Sequence, residues 1–192
     1  MKKLSFIYAA FILLLTVVAC NSKSSSDGKD QSSEKLTFST AIEYNDFIIG
    51  QQEKVIKAVL KLSDVMNANP INNNDLKANY NVFGKECKKA LDTIKKMDSY
   101  NNNTGFRDES IRLFQFYYDI YEKDYKELID IIVKGDKITE ADATRMLQIQ
   151  ESITKRENKR DGKFAAEQNK FASENNMQII QNDLQKEIDK KN

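Results

Sequence analysis

A chain of 192 residues that is 40% hydrophobic is long enough to close one domain round a core, and its single proline and six glycines favour long helices over a turn-rich β fold. Its 30 basic and 29 acidic residues cancel to a formal charge of +1, so the balance gives no electrostatic footprint for nucleic acid. Histidine is absent, which excludes helical di-iron sites of the Glu-x-x-His kind and any Ser-His or Cys-His nucleophile pair.

The chain opens MKKLSFIYAAFILLLTVVAC. Lys2 and Lys3 form a positive n-region, Leu4 to Val18 is a nearly unbroken apolar run, and the small residue Ala19 precedes Cys20. A membrane-spanning helix needs roughly 20 apolar residues. This run is shorter, and its flanks are those of a secretory signal. Val17-Val18-Ala19-Cys20 resembles the lipobox of bacterial lipoproteins, with valine where that family usually has leucine. The resemblance implies that Cys20 is diacylated, becomes the first residue after cleavage, and is then acylated again on its amine. The chemistry suits an anchor, since each buried methylene contributes about 0.8 kcal/mol and two or three chains hold where one would exchange. The alternatives are an ordinary signal peptide with an incidental cysteine, or an uncleaved anchor. Loss of Lys2 and Lys3 with the leader would leave 28 basic and 29 acidic residues.

Residues 1–19 are therefore expected to be a lipoprotein signal peptide and 20–38 a lipidated cysteine with a flexible tether. The stretch NSKSSSDGKDQSSEK after Cys20 has nothing to bury. By resemblance to enteric sorting rules, Asn21 in place of aspartate implies the outer membrane. Which face of it the protein would occupy is not legible.

Residues 39–176 carry helical periodicity. The first predicted helix starts near Thr40, where Thr40-Ala41-Ile42-Glu43 fits a capping box, and its stripe is Tyr44, Ile48, Gln51, Val55, Val59, Leu62 and Met66. Asn67, Asn69 and Pro70 end it. The second starts with Asn74 or Asp75 as cap and carries the heptad stripe Leu76, Tyr80, Phe83, Cys87, Ala90, Ile94 and Met97. Cys87 on that stripe reads as a small buried hydrophobe, not as a reactive thiol. Tyr100 to Gly105 is a loop by composition. The third helix is the aromatic one, with a seam of Ile111, Phe114, Tyr118, Tyr121, Tyr125, Leu128 and Ile132, closed by Gly135 in the place a left-handed cap prefers. The fourth opens at Thr139 and runs through Met146, Ile149, Ile153, Phe164 and Phe171 to about Asn175-Asn176. Residues 177–192 are a tail or a short helix built on Met177, Ile180, Leu184 and Ile188. Short connections make sequential neighbours antiparallel, so the expected fold is all-α, an antiparallel up-down-up-down four-helix bundle.

Laying those stripes end to end puts Gln51, Ala90, Tyr118 and Glu157 at one level, with Arg160 one step away beside Phe114. A charged group facing a core is costly unless paired. Either Tyr118 and Gln51 bond Glu157 while Arg160 stacks on Phe114, or the helix rotates its charges to solvent, or the level opens as a small-ligand pocket. Lys155, Arg156, Lys159, Arg160 and Lys163 form a basic ridge, partly neutralised by Glu157 and Asp161, that suits a solvated face or anionic headgroups.

Ala41-Ile42-Glu43-Tyr44-Asn45-Asp46-Phe47-Ile48-Ile49 and Lys170-Phe171-Ala172-Ser173-Glu174-Asn175-Asn176 resemble a family of uncharacterised helical bacterial surface lipoproteins. That family has no settled activity, so the resemblance implies class and location only. Carboxylates and tyrosines are present, but their spacing converges on no nucleophile, metal or phosphate cradle. The sequence thus points to a non-enzymatic, membrane-anchored protein that uses no cofactor or metal. Its helical domain would bind a protein partner, or a small molecule at the Gln51–Tyr118–Glu157–Arg160 level.

Overall fold

In the computed structural model, residues 15–18 and 36–181 are described. Helices begin where side chains can take up the first orphan amides. Helix α1 (Ala41–Met66) starts at Thr40, whose hydroxyl accepts from the Glu43 N–H at 3.1 Å. The Glu43 carboxylate reaches one residue further back than expected and accepts from the Ser39 N–H at 2.9 Å. Helix α2 (Asn73–Lys95) is capped by Asn72, not by Asn74 or Asp75. The Asn72 side chain accepts from both of those amides, so the cap falls at the first asparagine able to reach them. Helix α3 (Gly105–Ile120) runs through a five-residue π turn (Tyr121–Tyr125) into α4 (Lys126–Ile132). Gly135 then takes φ +56, the left-handed conformation expected of it, and opens one 3₁₀ turn. Helix α5 (Glu140–Glu174) begins with a complete capping box between Thr139 and Asp142.

The domain is helical, as its low proline and glycine content favours. Helix α1 packs on α2, α2 on α3, and α3 on α5, round one apolar cluster. The heptad stripe expected from Leu76 to Met97 is buried except at Tyr80, which is only partly so, and Cys87 on it is fully buried. At one end, the Tyr44 ring lies 5.5 Å from that of Phe171 and 6.4 Å from that of Phe106, and its hydroxyl donates to the Asp98 carbonyl. Aromatic side chains of this kind bury about 150–250 Å² each.

The expected seam of the third helix needs correction. Phe114, Leu128 and Ile132 are buried, but Ile111, Tyr118, Tyr121 and Tyr125 are only partly so. The buried face before the π turn is instead Phe106, Ser110, Leu113, Phe114, Tyr117 and Ile120. A π turn admits one extra residue, which rotates the seam and breaks a strict three-and-four spacing. The turn is held from α2: the Tyr80 hydroxyl donates to the Tyr121 carbonyl at 3.2 Å, and the Phe83 ring meets Tyr121 and Tyr125 edge-on.

One boundary also moves, and one short element changes type. Leu36 bridges to Met97 and packs with Phe38 on the core, so the segment expected to be tether through residue 38 ends before Leu36. These side chains are apolar, unlike the serine-rich stretch before them. After α5, Asn176 at φ +54 turns the chain out of the helix, and Gln178–Gln181 forms a strand (β2) in place of the start of a short helix. The β-branched pair Ile179-Ile180 favours that choice. It pairs antiparallel with Leu15–Val18 (β1), Leu15 opposite Gln181 and Val18 opposite Gln178. Cys20, the stretch to Lys35 expected to be a tether, and the residues from Asn182 onward lie outside the described residues.

Gly84 is the place where α2 admits the π turn. A Cβ there would lie 2.1–2.6 Å from three atoms of the Tyr121 ring. Overpacking of this kind costs about 1–3 kcal/mol. That outweighs the gain of up to about 1 kcal/mol that alanine brings to a helix interior. Gly84→Ala is expected to lower the urea midpoint, and Tyr121→Ala in the same chain to relieve part of the loss.

Candidate functional site

The core-facing stripe of α5 runs Met146, Ile149, Ile153, Glu157, Asp161, Phe164, Gln168 and Phe171, all of them buried. Two carboxylates thus sit on an otherwise apolar seam, one turn apart, with 4% and 7% of their surfaces exposed. Their basic sequence neighbours do not answer them. Arg156 donates to Asp124 at 2.6 Å and lies over the Phe116 ring, while Arg160 donates to Glu109 at 2.7 Å. Glu109, itself buried, also holds Arg112 at 2.9 Å.

What faces the acid pair comes from the other helices. The buried Tyr117 of α3 feels Asp161 and Glu157 as its strongest charges, and Tyr125 of the π turn feels Glu157 and then Cys87 of α2. From α1, Gln52 Nε2 donates to the Tyr117 hydroxyl oxygen at 3.2 Å. Gln52 Oε1 and both carboxylate oxygens of Asp161 are buried without a hydrogen-bond partner among the described residues. Leaving a buried acceptor unmet costs about 1–3 kcal/mol.

Burial shifts the ionisation of the whole group. It pushes Glu157 well above the carboxylate range, with the Asp161 charge adding to the effect, and it pushes Asp161 up to about 8. The Tyr117 and Tyr125 hydroxyls are raised too, by burial first. Burial thus favours the protonated form of both acids, which is how a core tolerates carboxyl groups without cations.

This level replaces the one read from the sequence. Glu157 is where it was expected, but Gln52 and Tyr117 take the places assigned to Gln51 and Tyr118. Gln51 is buried. Tyr118 is only partly buried and its hydroxyl bonds Glu122. Arg160 pairs with Glu109 and does not stack on Phe114. Helix α1 buries adjacent pairs, Ile48 with Ile49, Gln51 with Gln52 and Val55 with Ile56, because its apolar face is wide. A seam drawn one residue per turn picks one of each pair, and here it picked the other. Asp161 was read as part of the basic ridge, yet its spacing from Glu157 and Phe164 continues the apolar stripe, and that was the available signal. Lys155, Lys159 and Lys163 of that ridge are exposed. A further buried contact, Gln168 Nε2 to Asn45 Oδ1 at 2.8 Å, joins α5 to the start of α1.

Comparisons of the chain with family models, with curated proteins and with solved structures found no match. Among the described residues, no three His, Cys, Asp or Glu side chains are placed to hold a metal ion. No helix among them is long and apolar enough to cross a membrane.

The raised Asp161 sets a pH dependence with a definite sign. Its folded pKa of about 8 lies above its ordinary value of 3.8, so between these values the folded state binds more protons than the unfolded one. Stability is full below about pH 4 and falls as pH rises to about 8, where the loss levels off. Asp161→Asn is expected to flatten the melting temperature over that window and to raise it at pH 9, as a thermal denaturation series would record.

Proposed function

We propose that the chain is a lipoprotein held to a membrane, the outer one in a two-membrane cell, through acylated Cys20, and that its helical domain is a binding module without enzymatic activity. The observation that carries this reading is the order of segments: an apolar run, a small residue, a cysteine, a polar stretch, and then Leu36 packed on the core. From Cys20 to Leu36 the chain can extend to roughly 50 Å at about 3.3 Å per residue, and as a flexible coil it spans roughly 20 Å. That reach sets the domain beyond the headgroups while keeping it near the surface. The domain is read as an up-down-up-down four-helix bundle. Support comes from contacts that bring the start of α1 (Tyr44) to the residues just after α2 (Asp98), to the start of α3 (Phe106) and to the end of α5 (Phe171). At the other end, Arg145 near the start of α5 holds Glu127 of α4. Cleavage before Cys20 would remove Leu15–Val18 and leave β2 without the strand it pairs with.

Cys20→Ser should abolish incorporation of labelled palmitate in cells, and the wild-type mature chain should begin, by mass, at an acylated Cys20. Continued labelling of the variant would overturn the anchor.

A second reading, a small-molecule site between helices, is favoured by one observation, the unmet buried acceptors of Asp161 and Gln52. A network retained for stability would resist apolar replacement, whereas groups retained for a guest would not. On this reading Asp161→Leu and Glu157→Leu raise the unfolding free energy by about 1–3 kcal/mol. A loss of that size in denaturant titration would show the level to be structural.

A further inference from the structure

The basic ridge of α5 lacks the acids that its sequence places beside it. Glu157 and Asp161 lie between its lysines in the chain, but both are buried against the core. Asp124 and Glu109 are taken by Arg156 and Arg160. Glu167, one turn past Lys163, lies against Gly105 at the start of α3. What is left is a line of lysines, Lys155, Lys159, Lys163 and Lys170, all exposed. Among the described residues none of the four has a carboxylate partner, and Glu151, one turn before Lys155, makes no pair with it. At about 100° per residue the four fall within an arc of roughly 80°. The other exposed residues on that face, Ser152, Gly162 and Ala166, are small and uncharged.

The line begins where the chain enters the domain. The Phe38 ring lies 5.1 Å from that of Tyr44, and the Tyr44 ring 5.5 Å from that of Phe171, the residue after Lys170. From Lys170 the line runs back along α5 to Lys155, roughly 22 Å at about 1.5 Å per residue. A flexible coil from Cys20 to Leu36 spans about the same distance, roughly 20 Å. We propose that this line is the face on which the domain lies against the membrane that holds it, its ammonium groups set among the phosphates of anionic phospholipids. This rests on the anchored reading above and adds the orientation of the domain and the class of lipid. Lysine is a compact charge on a flexible stem, able to follow a fluid surface. Each one near an anionic bilayer favours contact roughly fivefold. The face carries no side chain larger than Ala166 between its lysines, so it lacks the apolar anchor at the centre of a protein–protein contact.

The test uses the mature chain purified from membranes and returned to phosphatidylcholine vesicles, made with or without phosphatidylglycerol. Lysines are acetylated by a water-soluble reagent and the rate at each is read by mass spectrometry. Lys85 and Lys89, exposed on α2, a helix that packs on α1 and α3, serve as controls. Phosphatidylglycerol should slow labelling of Lys155, Lys159, Lys163 and Lys170 by roughly fivefold or more and leave the controls unchanged. Salt at ~1 M, where the screening length is about 3 Å, should abolish the difference. Lys155→Gln, Lys159→Gln and Lys163→Gln together should restore the labelling of Lys170. Equal rates in both vesicles, slowing shared by the controls, or slowing that survives salt overturns the proposal. Slowing in native envelopes but in neither vesicle would give the line to an acidic protein and overturn the lipid. A chain that floats with neither vesicle defeats the anchor and the proposal together, whereas one that floats with both and labels alike defeats the docking alone.

Discussion

The fold depends on how α5 buries its face. Its stripe has to be apolar to join the core, yet two carboxylates interrupt it in successive turns, and among the described residues no basic side chain pairs with them. An isolated charge in such a place costs several kcal/mol. Burial answers this constraint by favouring the protonated form of both acids, while among the described residues the two Asp161 oxygens and Gln52 Oε1 have no hydrogen-bond partner. Neighbouring features fit round that compromise. Gln52 leans on Tyr117, the π turn brings Tyr125 near Glu157, and Gly84 gives the turn room to sit against α2.

Much of the fold was legible because helices announce themselves through local chemistry. Thr40 and Thr139 are capping residues within reach of an acidic side chain three positions on, and both start helices as read. Gly135 takes the left-handed conformation its position invited. The α2 stripe from Leu76 to Met97 is buried at every position but Tyr80, because that helix follows an undisturbed period. The aromatic helix defeated the same method, since a π turn leaves no mark in spacing. Tyr121 and Tyr125 look like seam residues until the backbone slips by one.

The site was legible in part. Glu157 stood out as a charge at an apolar position, and it is buried. Its partners were each placed one residue away, on Gln51 and Tyr118, because a helix that faces two neighbours buries pairs of adjacent side chains. Asp161 was assigned to the solvent with the lysines around it, although the alternation from Ile153 through Glu157 to Phe164 passes straight through it. Where composition and periodicity disagree about a residue, periodicity decided here, since the position fixes burial and the side chain then adjusts its protonation.

The junction at Leu36 and Phe38 bears on mechanics. Leu36 bridges to Met97, and Phe38 rests against Tyr44 and Phe47, so the chain is clipped to the end of α2 before α1 begins. A pull arriving along the polypeptide from the N-terminal side would load that clip sideways, across two helices at once, before it could peel the first turn of α1. The first turn of α1 is thereby shielded from strain arriving along the chain, like a cable clamped ahead of its connector.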